Sequence, residues 1–358
     1  MTKINEERLK RYRELANIRS MEMEDTAARD IFARMEAEGA NVRDMRDQAL
    51  GMFMAPFESN LDMLDIACVG IPLENSIPLR TSTSKGPQAL REWSQWCGPI
   101  HENWKTIPFE QFRVGDYGDI TFEERELPAR IEQIYQVYHE LAAAEINTLS
   151  IGGEHTMTYP IMKAIGADAP LGMIHIDAHA DTGGAVIPGD DDVLGINDAS
   201  PFRHAVIDGV LDPKRCIQIG IRGRGAHFWD FSHQTGMRVV TATEFHELGV
   251  QAVIAEARRI VGDGPCYITI DNDGIDPVDM PATGLPEPFG ISALDVRRLL
   301  RGAKGLDIVG ADFAELSPDN DPTGQSANIS AALCFEMLCL LVESRCARTN
   351  TRRKTHWK

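Results

Sequence analysis

From Leu64 onward the chain alternates short runs of apolar residues with longer stretches whose apolar positions recur at helical spacing. The short runs are DIACVG (65–70), NTLSIG (147–152), GMIHID (172–177), CIQIGI (216–221), RVVT (238–241), CYITID (266–271) and DIVGAD (307–312). They are apolar throughout rather than at every second position, as strands buried on both faces must be. Between them, LPARIEQIYQVYHELAAAE (127–145), ALDVRRLLRGA (293–303) and NISAALCFEMLCLLVES (328–344) read as helices. The alternation predicts an α/β fold, a three-layer α/β/α sandwich around a central, mostly parallel sheet. No internal repeat or low-complexity segment interrupts it.

The first 61 residues have another texture. They are charged and Met-rich, with helical spacing in EERLKRYRELA and DTAARDIFARMEAEG. The organisation expected is a helical N-terminal extension (1–61), one domain (62–346) and a basic C-terminal tail (347–358). No apolar run reaches the ~18 residues of a membrane helix, and the charged start has no apolar signal core. The seven cysteines form no CxxC pair, and Cys68, Cys216 and Cys266 lie in apolar runs. A reducing cytoplasm is the compartment this predicts. With 54 acids against 36 bases the net charge is −18, which disfavours nucleic acid as a partner and suits cationic ligands or metal ions. No membrane partner is expected either.

Charge changes the picture most at three strand ends, which run into SIGGEH, HIDAHAD and TIDNDGID. In parallel α/β sheets ligands gather at the carboxyl ends of the strands. Asp177, His179 and Asp181 have i, i+2, i+4 spacing, so an extended chain would project all three to one side. Asp271 and Asp273 repeat the pattern, and His155 follows the Gly152–Gly153 turn. Four carboxylates brought together would raise one another's pKa values unless cations neutralise them. Two divalent ions would do so. Mixed Asp/His donors suit Mn²⁺, Ni²⁺, Fe²⁺ or Zn²⁺ better than Ca²⁺ or Mg²⁺. Two ions ~3.5–4 Å apart can also lower the pKa of a shared water enough to make it a nucleophile near neutral pH. A lone DxHxD is modestly specific, because an Asp–His pair often caps a helix. Three such clusters after three strands leave that reading little room.

The stretches IGGEHTMTYP (151–160), IHIDAHADT (174–182), IGIRGRG (219–225), YITIDNDGIDPVDMPATGLPEPFG (267–290) and GADFAELSPDNDPTGQSANISAAL (310–333) resemble the ureohydrolase superfamily of arginases and agmatinases. GIPLENSIPLRTSTSKGPQALRE (70–92) resembles it more weakly. The likeness spans roughly residues 62–344. It implies two divalent ions per site, Mn²⁺ or Ni²⁺, held by His155, Asp177, His179, Asp181, Asp271 and Asp273. It further implies hydrolysis of a guanidino C–N bond, trimer-based assembly, Asp181 as a bridging ligand that accepts a proton, and Glu315 as the substrate-binding carboxylate.

One segment departs from that pattern. Agmatinases carry a His-Gly-Thr-Pro-Phe-like stretch with a proton-shuttling His, where this chain reads NDASPFRHA (197–205). The alignment places Asp198 where the His belongs, with Asn197 beside it as a substrate contact. Either Asp198 takes the acid or substrate-binding role, or His204 does, or the leaving group needs less help; the reading favoured is Asp198 in the pocket with His204 a plain helix residue. This departure and the long N-terminal extension resemble a divergent branch that acts on guanidine or on biguanides such as metformin, associated with nickel. The expected substrate is therefore a small cationic guanidine or biguanide, giving urea or guanylurea plus an amine or ammonia. The alternatives are an agmatinase or guanidino-acid hydrolase, and a non-catalytic subunit supporting a paralogue in a mixed hexamer. A silent subunit would be expected to have lost metal ligands, and all six positions are filled here. A one-zinc deacetylase of related fold would not need His155 together with both Asp271 and Asp273. His175 matches no family ligand and is expected to be a core histidine or a support for the ligands.

Overall fold

All seven runs form strands, and an eighth strand joins them. A computed structural model describes residues 5–16, 51–75, 81–183, 195–223 and 229–351. The strands are β1 (Ile66–Ile71), β2 (Val114–Asp119), β3 (Asn147–Gly152), β4 (Leu171–Ile176), β5 (Leu211–Ile221), β6 (Arg238–Thr241), β7 (Pro265–Asp271) and β8 (Asp307–Ala314). They make one sheet in the order β2-β1-β3-β8-β7-β4-β5-β6, and every pair is parallel. The chain builds outward on one side to β2 and on the other to β6, and its last two strands then fill the centre. That insertion puts the ends of β3, β8, β7 and β4 side by side although they are far apart in sequence.

Successive strand residues pack on opposite faces, which gives two separate cores. Ile66, Ile151, Ile174, Ile176, Ile268 and Ile270 face the helices Gly86–Ser94, Val250–Val261, Ala293–Gly302 and Gln325–Arg348. Ala67, Val69, Met173 and Tyr267 face Leu127–Ala143, Thr158–Ile165 and Pro201–Ile207. The architecture is thus an α/β/α sandwich.

Helix Gln325–Arg348 is long and apolar enough to cross a membrane, yet 78% of its most apolar window is buried inside the protein. Glu336, in its middle, is paired with Arg297 and Arg301 at 2.6 and 2.7 Å and accepts a hydrogen bond from His101 Nε2 at 2.7 Å.

Glu6–Ala16 is a helix with no buried residue, whereas DTAARDIFARMEAEG and most of the basic tail lie outside the described residues. Met52 and Phe53, still N-terminal to β1, are buried in the first core. A buried carboxylate anchors them: Asp116 accepts from the Met52 N–H at 2.8 Å and from Arg91 at 2.8 and 3.0 Å.

Candidate metal centre

The four central strands end level with one another. Ile176 is in register with Ile270, Ile270 with Phe313, and Phe313 with Ile151. Each strand then turns sharply into a polar residue, and two of the turns depend on glycine. A Cβ on Gly153 would lie 1.8 Å from the Leu73 carbonyl oxygen, and one on Gly274 would lie 2.6 Å from the Asp177 nitrogen. The two acidic motifs therefore touch backbone to backbone, which only glycine permits.

Asp177, His179 and Asp181 do not converge by staying extended. β4 stops at Ile176, the His179 N–H folds back onto Asp177 Oδ1 at 2.6 Å, and Asp181 takes a left-handed backbone (φ 49°). Glu315, just past β8, is also left-handed (φ 60°). Side-chain-bearing residues adopt this region at a cost and cluster at functional sites when they do. At the end of β7, Asp271 accepts the Asp273 N–H at 2.8 Å and so turns Asp273 back toward β4.

The expected ligands fall into two overlapping sets of donors, and a third set joins His175 to His155 and Asp177. One atom each from His155, Asp177, Asp181 and Asp271 lie within 4.8 Å of one another, and so do atoms of Asp177, His179 and Asp273. Asp177 is common to both sets; Asp181 belongs only to the first. The left-handed turn carries Asp181 toward His155, whose Nδ1 lies 2.9 Å from its carboxylate.

His155 Nδ1 is buried and makes no hydrogen bond. Carboxylate oxygens of Asp181, Asp177 and Asp271 nevertheless stand 2.9, 3.3 and 3.3 Å from it. An orphan imidazole nitrogen facing three carboxylates is a donor set that fits a divalent ion of the Mn²⁺ or Ni²⁺ kind.

Proton affinities in the bare chain say the same. Burial opposes a charge on His179, but Asp273 at 3.1 Å, with Asp177, pushes its pKa up to about 11. Burial likewise opposes a charged His155, and the nearby carboxylates of Asp177, Asp181 and Asp271 overturn it and raise its pKa well above the ordinary value. Asp177 is raised to about 6 by burial and by Asp273. Burial and Asp273 raise Asp271 well above the carboxylate range, and burial with Asp177 raises Asp181. For Asp273 burial also raises, but the His179 cation wins and lowers it.

Without ions, then, the cluster keeps protons that metal ligation must expel. Mn²⁺ binding at neutral pH is expected to release protons, and affinity is expected to rise with pH. Titration calorimetry in buffers of different ionisation enthalpy checks this; a heat independent of the buffer would contradict it.

His175 is fully buried. Its Nδ1 accepts from Gln218 Nε2 at 3.1 Å, so Nε2 carries the proton donated to Asp177 Oδ2 at 2.7 Å. Burial, with His155 nearby, lowers its pKa well below the ordinary value and keeps it neutral. It thus holds Asp177 in orientation.

Arg222, in the IGIRGRG stretch, donates to the carbonyl oxygens of Gly220, Asp273, Gly274, Ile275, Glu287 and Pro288 at 2.7–3.5 Å. It clamps the turn that carries Asp273.

Beside the cage stand three more acids. Asp198 is partly buried; burial and the charges of Asp181 and Glu154 push its pKa up to about 6. Glu315 is raised well above its ordinary range by burial, Asp198 and Glu154, although it accepts the His155 N–H at 2.9 Å. Glu154, within the quoted GGEH, has nothing in the ligand spacing to mark it, yet it is buried in this group. Asn197 uses its side-chain oxygen to accept the Ala199 N–H at 3.0 Å, which shapes the turn presenting Asp198. His204 lies elsewhere, its ring 5.4 Å from Tyr159, with Asp208, Arg203 and Lys163 as its charged neighbours.

A parallel α/β sheet whose central strand ends gather imidazoles and carboxylates into two joined donor sets defines a metal-dependent hydrolase of the binuclear kind. The arginase family profile matches residues 64–339, and the chain belongs to that family. It is a hydrolase of C–N bonds in linear amidines. It is 41% identical to a guanidinopropionase of Pseudomonas aeruginosa over 286 residues, 78% of this chain and 88% of that protein. It is 37% identical to a mitochondrial agmatinase of Gallus gallus over 299 residues, 81% and 85% of the two chains. Among solved structures it resembles proclavaminate amidino hydrolase from Streptomyces clavuligerus, with a TM-score of 0.78 and 31% identity over 83% and 98% of the two chains.

Proposed function

We propose that the chain hydrolyses the guanidino C–N bond of a small linear guanidino compound, of the guanidino-acid or agmatine class, giving urea and an amine. The joined donor sets beside the acids Glu154, Asp198 and Glu315 carry this reading, and the names of the relatives, guanidinopropionase and agmatinase, support its substrate class. Two divalent ions, Mn²⁺ or Ni²⁺, held by His155, Asp177, His179, Asp181, Asp271 and Asp273 would supply Lewis acidity that makes the attacking water acidic.

The chain's own residues do the rest. Glu315 holds the planar cation through charge-assisted hydrogen bonds. Addition of water to the guanidinium carbon and loss of the substituent amine require that a proton pass from the water to the leaving nitrogen. Asp181, against His155, can take that proton. Asp198, with a pKa near 6, can return one at a pH where an ordinary carboxyl would be ionised.

A second reading has its own observation. Glu154, Asp198 and Glu315 already repel one another. A substrate carrying a carboxylate would add to that repulsion, whereas guanidine itself or a biguanide of the metformin type would relieve it.

A panel of guanidinopropionate, guanidinobutyrate, agmatine, arginine, guanidine and metformin separates the two. The protein would be loaded with Mn²⁺ or with Ni²⁺ and assayed for urea and for amine. The highest kcat/KM is expected on a guanidino acid or agmatine. A preference for guanidine or metformin would move the conclusion to the second reading, and no turnover on any compound would sink both.

A further inference from the structure

Behind the cage lies a relay that neither the ligand motifs nor the proposed reaction uses. His155 Nε2 is 2.8 Å from Thr269 Oγ1, and Thr269 Oγ1 is 2.5 Å from Asp312 Oδ1. The remaining Asp312 oxygen accepts from Thr158 at 2.8 Å and from Tyr267 at 2.9 Å. Thr158, Tyr267, Thr269 and Asp312 are all fully buried, and no lysine or arginine among the described residues pairs with Asp312. A carboxylate buried without a cation is costly. Hydrophobic residues on adjacent strands would stabilise the sheet better.

The direction of the bonds shows what the arrangement does. A carboxylate only accepts, so the Thr269 hydroxyl spends its proton on Asp312. Its oxygen can then only accept from His155, which fixes a proton on Nε2 and leaves Nδ1, the nitrogen facing Asp177, Asp181 and Asp271, as the one a metal ion can take. Were the hydroxyl free to turn, it could donate to Nε2. The proton would then sit on Nδ1 and block it as a ligand.

We infer that Asp312, acting through Thr269, is a positioning residue that locks His155 in its metal-ligating tautomer. The inference rests on the metal centre and not on any choice of substrate. The relay is set by topology: Thr269 and Asp312 are in register on β7 and β8, the two strands inserted last.

The test uses the full chain with Mn²⁺ alone as probe, measured by equilibrium dialysis and atomic absorption. Thr269→Val keeps the side-chain volume and removes the relay. It is expected to weaken one of two bound ions about 10- to 100-fold while the other keeps its wild-type affinity. Asp312→Asn, whose amide can donate where the carboxylate only accepted, is expected to weaken the same ion. Thr269→Ser restores the hydroxyl and is expected to restore binding, a rescue that a packing role for the lost methyl would not give. If Thr269→Val melts at the wild-type temperature without metal and binds both ions with wild-type affinity, the relay is overturned. A wild-type chain that binds fewer than two ions would instead overturn the metal centre beneath it.

Discussion

Asp177→Ala is expected to lower turnover on the order of 10³-fold or more, because several kcal/mol of Lewis-acid stabilisation depend on the ions it helps to hold. Asp177 is the one carboxylate common to both donor sets. It also accepts from the His179 N–H at 2.6 Å and from His175 Nε2 at 2.7 Å, so its loss disturbs the bend that brings the ligands together. Asp177→Asn separates these effects. The amide keeps the volume and one acceptor oxygen for the His179 N–H, but not the charge that offsets two cations. Both variants are expected to lose activity, with metal content below two ions per chain by elemental analysis. Asp273→Ala, from the other acidic motif, is expected to lose activity and metal as well. Either alanine variant with full turnover would show that the cage is not the reaction centre.

The fold could be read because strands buried on both faces leave a plain signature of apolar runs. β2 escaped it. Val114–Asp119 reads VGDYGD, with two glycines and two acids, and pairs with β1 near the edge of the sheet, with one isolated bridge from Asp116 to Phe57 on its other side. It is a strand through its ladder to β1, and its buried Asp116 is held by partners no local pattern contains, Arg91 and the Met52 N–H.

The residues that gather in the cluster were legible by type and spacing, although the spacing acts by another route than an extended strand. The chain bends at Asp181, and a left-handed backbone at a residue other than glycine has no sequence mark. The partners behind the ligands were hidden for a topological reason. Thr269, Asp312 and Gln218 sit inside apolar strands, and their meaning depends on which strands become neighbours. Arg222 is similar: its partners are backbone carbonyls, and those have no sequence identity at all.

Glu315→Gln is expected to lower kcat/KM about 10- to 100-fold while leaving two ions bound, since a hydrogen bond to a charged group contributes about 1.5–3 kcal/mol. The amide oxygen can still accept the His155 N–H, so the ligand behind it keeps its place. The charge is what goes. In the free protein, burial, Asp198 and Glu154 all favour a protonated Glu315. A bound guanidinium favours the ionised form, so cation binding and deprotonation are coupled. The sign follows: as pH falls through the raised pKa of Glu315, the binding form is lost and kcat/KM falls. That loss lies well above the usual carboxylate range. Gln cannot titrate, so the acidic limb that belongs to Glu315 is expected to disappear in the variant, leaving Asp198, with its pKa near 6, as the neighbouring acid still able to shape the profile. A variant with wild-type kcat/KM would remove Glu315 from the substrate. One that loses metal as well as activity would make it a support for His155 instead, because among the described residues its carboxylate accepts a hydrogen bond from that residue's backbone N–H.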